Sequence, residues 1–115
     1  MTQLTRPETP GAVTVRHESE RVVVVLDGEL DISLREQMTA AHEAAVTARK
    51  PIDIEARTLT FADSSAMAFL AMLVARSGQP VRILDAQVAV RAVLDLLDMG
   101  EILEIVDTQP GQREA

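Results

Sequence analysis

The chain contains no cysteine, no tryptophan and no tyrosine. The lack of cysteine excludes disulfide stapling and thiolate chemistry and makes a cytosolic setting the default expectation. Aromatic residues are 2% of the chain, which argues against nucleic-acid recognition by base stacking. The core has to be aliphatic, built from Val, Leu, Ile, Ala and Met. Glycine is sparse as well. Gly11, Gly28, Gly78, Gly100 and Gly111 form neither G-x-G-x-x-G nor a Walker A loop, so nucleotide binding has no support. Positive charge is in deficit: 11 Lys and Arg stand against 18 Asp and Glu, for a net charge of −7. Such a surface repels phosphate backbones and anionic lipid. A direct nucleic-acid or membrane binder is therefore not expected, whereas a basic patch on another protein suits it. No apolar run reaches the roughly 20 residues that span a bilayer. The start, "MTQLTRPETPG", has no apolar run and is not read as a signal peptide.

What is present suits one compact domain, expected to be monomeric: 115 residues, 47% of them hydrophobic. Residues 1–11 read as a loose tail. "AVTVRH" alternates as a short strand should. "RVVVVLDG" is a β-branched run without alternation, expected to be covered on both faces. The two are close in sequence and should pair as an antiparallel hairpin. Ser33 followed by Glu36 reads as a capping box. Behind it Leu34, Met38, Ala41 and Ala45 share one helical stripe, and Pro51 stops the helix. "PIDIEA" alternates, with Asp53 and Glu55 on a face expected to be wet. "RTLTF" reads as a connector. A second helix should start near Asp63 or Ser64 and end before Gly78. "PVRILD" is a further strand. In "AQVAVRAVLDLLDMG", Val90, Val93, Leu94 and Leu97 form an inner stripe, and Gly100 closes the helix. "ILEIV" is a last short strand, and residues 107–115 read as a polar tail. The order β-β-α-β-α-β-α-β predicts an α/β fold over residues 12–106, with a mostly parallel sheet and an antiparallel N-terminal edge.

Little in this sequence supports catalysis. His17 and His42 lie in no metal-ligand spacing with each other or with another ligand. They read as a solvated residue at a strand end and one on a helix face. No cofactor is expected. A serine nucleophile in this fold class usually sits in G-x-S-x-G, and here the surroundings are Ala-Asp-Ser-Ser-Ala. The required base would have to be His17 or His42, and neither has an obvious orienting partner.

The informative stretch is "FADSSAMAFLAML". After Asp63 the chain runs twelve residues, Ser64 to Ala75, without a charge. Asp63 or Ser64 can cap the helix, but a cap accounts for one polar residue and not for three. The helix behind it is apolar nearly all round, and in so small a domain part of that surface is expected to meet a partner. A phosphate on Ser64 would be tolerated by the helix N-terminus. It would add about −1.5 to −2 charge beside Asp63, and beside Asp31 and Glu29 if the second strand ends there. That combination favours the release of a partner.

These residues resemble the anti-sigma factor antagonist family, the STAS domain. "LDGELD" (Leu26 to Asp31), "LTFADSSAMAFL" (Leu59 to Leu70) and "VRAVLDLLDMGEIL" (Val90 to Leu103) carry the likeness. The resemblance implies a cytoplasmic, non-enzymatic binding protein. It implies a partner that is an anti-sigma factor and Ser/Thr kinase of the GHKL type, whose capture frees a sigma factor. It implies phosphorylation at Ser64, with Ser65 the lesser candidate, and reset by a PPM-type phosphatase. Asp31, Asp63, Ser64, Ser65, Ala66 and Met67 would form the partner-binding surface. Ala66 stands where the family carries Gly, and Glu55 stands where Asp or Asn is usual. STAS-like domains also act as non-switching subunits of sensory scaffolds and of lipid-transport ATPase complexes, in which Ser64 would be only a cap.

Overall fold

The computed structural model describes residues 11–108. The strands are β1 (Ala12–His17), β2 (Val22–Leu30), β3 (Ile52–Glu55), β4 (Leu59–Ala62), β5 (Val81–Leu84) and β6 (Glu104–Val106). The helices are α1 (Arg35–Ala48), α2 (Ser64–Ser77) and α3 (Val88–Leu96). The sheet order is β1-β2-β3-β5-β6, with β1 antiparallel to β2 and the remaining pairs parallel. The α/β fold and its antiparallel hairpin are those expected.

One strand was not. Leu59–Ala62, read as connector, pairs in parallel with the far half of β2. β2 therefore serves two neighbours in turn: Val22–Val25 pair with β3, and Gly28–Leu30 pair with β4. The change of partner needs a break in the ladder. The register slips between Gly28 and Glu29, and Gly28 has φ +70°, which glycine adopts without a Cβ penalty.

Register fixes the two faces of the sheet. Val24, Ile54, Ile83 and Ile105 are neighbours in one row, and Val22, Ile52 and Val81 in the next. This face, with Met38, Ala41 and Ala45 of α1, Leu70 and Leu73 of α2, and Val90 and Leu94 of α3, forms a single aliphatic core. Val22, Val23 and Val24 are all buried, as the unbroken β-branched run suggested. The opposite face carries Arg16, Val23, Asp53, Arg82 and Glu104 in register. Asp53, expected on a wet face, is buried instead. Arg82 donates to both its oxygens at 2.9 and 2.8 Å, and Arg21 lies 3.0 Å away. Burial alone would push the Asp53 carboxyl up; the hydrogen bonds and charge of Arg82, then Arg21, outweigh it and hold the group below its usual range.

The helix ends also depart from the reading of local sequence. Ser33 and Glu36 do not form a capping box. Residues Ile32–Leu34 make a 3-10 turn capped by Asp31, and α1 follows without a side-chain cap. Met38, Ala41 and Ala45 still face the core. At the end of α3 the left-handed residue is Asp98 rather than Gly100, so the chain turns earlier and leaves Leu97 half exposed. The domain extends slightly past its expected edge, because Asp85 accepts hydrogen bonds from Thr108 N and Oγ1 at 2.7 and 2.5 Å. The remainder of both expected tails, residues 1–10 and 109–115, lies outside the described residues.

Candidate functional site

β2 and β4 run parallel and end together, with Leu30 opposite Ala62. The Asp63 N–H donates to the Leu30 carbonyl at 3.2 Å, pinning the two strand ends side by side. Each strand is followed by an aspartate and then by a helical turn. Asp31 Oδ1 accepts from Ser33 N at 2.9 Å and Ser33 Oγ at 2.5 Å. Asp63 Oδ1 accepts from Ser65 N at 2.9 Å, Ser65 Oγ at 2.6 Å and Ala66 N at 3.2 Å. The same short Asp-x-Ser device is thus used twice, on neighbouring strands. The reason is local: an aspartate oxygen reaches the free N–H two residues on, which is the cap that a helix start requires.

The electrostatics separate the two serines. The Ser65 hydroxyl is the main cause that holds the Asp63 carboxyl below its usual range. Burial opposes this, and the N–H groups of Ala66, Ser65 and Ile32 add to it. Asp63 is therefore a carboxylate at neutral pH, and the Ser65 proton is committed to it. Ser64 is exposed, and among the described residues its hydroxyl has no hydrogen-bond partner. Neither His17 nor His42 bonds to a serine. His42 lies on α1 against α2, with Nε2 buried and without a hydrogen-bond partner among the described residues.

The structure brings Asp31, Asp63, Ser64 and Ser65 to one corner. It places Ala66 and Met67 elsewhere: they are 1% and 4% exposed and belong to the core. The Ala66 methyl is therefore turned inward and does not cover Ser64. The apolar groups that do reach the surface near the corner are Ile32, 54% exposed in the turn after Asp31, and Phe61, 50% exposed on β4. Sequence reasoning missed both. Phe61 was hidden by the unrecognised strand. The signal for Ile32 was its position inside an acid-capped turn, where a large apolar side chain has no core to enter.

Residues 13–106 match the family model described as "Mlab, STAS domain". The fold is similar to that of an anti-sigma factor antagonist from Mycobacterium paratuberculosis, at 19% identity and TM-score 0.79 over 94% of each chain. It is similar to the anti-sigma factor antagonist SpoIIAA in its unphosphorylated form, at 26% identity and TM-score 0.68, covering 89% of this chain and 92% of that one. It is also similar to the Bacillus cell fate determinant SpoIIAA in its phosphorylated form, at 22% identity and TM-score 0.68, covering 89% and 96%. No curated protein matches the chain in sequence.

Proposed function

The chain belongs to the STAS domain family, and from that membership and the corner at Asp63 we propose that it is an anti-sigma factor antagonist switched by phosphorylation of Ser64. In this reading it binds, in the cytoplasm, an anti-sigma factor that is also a GHKL-type kinase. Binding frees the sigma factor, phosphorylation releases the kinase, and a PPM-type phosphatase restores the hydroxyl. The observation that carries the reading is the division of labour between the serines. Ser65 is tied to Asp63 and serves the cap, while Ser64 is exposed and unbonded at the same helix start. A phosphate on Ser64 would join Asp63, with Asp31 and Glu29 at the end of the adjacent strand. No Lys or Arg lies between Ser64 and Ala75, and Arg35, which lines a groove together with Ser65, offsets only part of that charge. That one similar protein is described in a phosphorylated form is in keeping with this.

The test is phosphorylation of the purified protein by a cognate GHKL kinase and ATP. The expected product is a single phosphopeptide containing Ser64, and Ser64→Ala removes the label. Equal labelling of Ser64→Ala and wild type defeats the assignment. A second reading is the permanently docked STAS subunit. It draws on an exposed apolar row along α3, where Val88 and Leu96 are 87% and 80% exposed, a surface that owes nothing to Ser64. A stable co-purifying complex indifferent to Ser64→Glu supports that reading over the first.

A further inference from the structure

Between α1 and α2 runs an open groove of about 380 Å³, which meets the serine corner at Ile32 and Ser65. Met38 and Phe69 form its floor, and Ile32, Ala68 and Met72 its walls. Met38 and Phe69 are buried, while Met72 is 45% exposed, so the groove is apolar and open along its length. Two of the chain's five methionines face it, and methionine repacks readily around a varied apolar guest.

The charges on the rim give the occupant its chemistry. Arg35 stands at the start of α1 and Arg76 near the end of α2. Both are exposed, and among the described residues neither has an ion pair. In a protein of net charge −7, two unpaired arginines on one apolar groove are out of balance with the rest of the surface. The other ionisable groups on the groove are His42 and Glu43, so the arginines outnumber the single acid. Both helices follow parallel strands, so Arg35 and Ser65 mark one end of the groove and Arg76 the other. The span from Ser65 to Arg76 is about 16 Å at 1.5 Å per residue.

We infer that this groove docks an amphipathic helical segment of a partner protein, about three turns long, with its apolar face on Met38, Phe69 and Met72 and its carboxylates toward Arg35 and Arg76. Placing a helix in an apolar groove is a recurrent mode of peptide recognition. Cations at both ends suit a segment with acids at both ends better than an acyl chain with one head group. A second copy of this acidic chain would meet repulsion. Ser64 itself does not line the groove.

The test uses the full chain and a fluorescent synthetic peptide of three to four helical turns, with Leu along one face and Glu near both ends, beside its Lys-for-Glu counterpart. The acidic peptide binds saturably and shifts the methyl resonances of Met38 and Met72. The double variant Arg35→Glu, Arg76→Glu keeps the wild-type circular dichroism, loses affinity about tenfold and gains the Lys peptide. The proposal is overturned if the acidic peptide fails to bind, if it leaves those methyls unmoved, or if the Lys peptide binds wild type equally well. It is also overturned if the methyls respond to laurate and not to the peptide, which makes the groove an acyl site. A concentration-dependent dimer dispersed by Met72→Glu overturns it too, because the occupant is then a second copy.

Discussion

Asp63→Ala tests the corner most directly, because one carboxylate oxygen holds three groups there. Ser65 N, Ser65 Oγ and Ala66 N all converge on Asp63 Oδ1. Losing an N-cap costs about 1 kcal/mol, within a range of about 0.5–2. The corner is partly exposed, so water replaces some of the lost bonds, and the loss should stay near the middle of that range. For a domain of this size 1 kcal/mol is about 4–8 °C in melting temperature. Thermal unfolding followed by circular dichroism at neutral pH should therefore show Asp63→Ala melting about 4–8 °C below wild type. Asp63→Asn keeps an accepting oxygen and should lie much closer to wild type. The pH dependence has a definite sign. The folded pKa of Asp63 lies below its unfolded value, so its contribution is complete above about pH 4 and drains away as the pH falls through the folded value. The gap between wild type and Asp63→Ala should close with acid, whereas that between Asp63→Asn and Asp63→Ala should not. An Asp63→Ala protein that melts with wild type refutes the reasoning, as does an Asn variant as damaged as the Ala variant.

Other substitutions probe other parts of the argument. Gly11→Ala would place a methyl 2.0 Å from the Glu29 carbonyl oxygen and 2.5 Å from Leu34 Cδ1. Urea unfolding should register a loss of about 1–3 kcal/mol as the start of β1 is pushed off. Asp53→Asn leaves Arg21 and Arg82 without their anion. Both arginines are over a third exposed and reach water, so the loss in the same assay should be about 2 kcal/mol, below that of a fully buried pair. The folded pKa of Asp53 is depressed, so this loss too should fade as the pH drops below about 4. Ser64→Glu should leave stability within about 0.5 kcal/mol of wild type, because an exposed, unbonded side chain is replaced.

The sequence was most legible where a single local rule decides the outcome. Asp63 starts α2 because an aspartate oxygen reaches two N–H groups, and Gly78 ends it with φ +65°. Both are short-range chemistry written in adjacent residues. Legibility failed where a distant residue decides. Asp53 looked wet by alternation, yet Arg82 of β5 and Arg21, just before β2, close over it. β4 looked like a connector because its four residues bury only Leu59 fully, and its register breaks beside Gly28. Ser33 and Glu36 fit a capping pattern, but Asp31 lies two residues ahead and takes the Ser33 N–H first. In the corner, Asp31, Asp63, Ser64 and Ser65 could be chosen from sequence. The inward turn of Ala66 and Met67 needed the helix to be set against its sheet, because a nearly uniform apolar run has no readable face.

The twin aspartates also determine what the corner will not bind. A bare helix start offers unfilled N–H donors to any passing anion. Here the N–H groups of Ser65, Ala66 and Met67 all donate to Asp63, through its side chain and its own carbonyl. On the neighbouring strand Ser33 and Leu34 are spent on Asp31 in the same way. Free phosphate, sulfate or nucleotide meets two carboxylates and few vacant donors. The corner is thus deaf to dissolved anions at neutral pH.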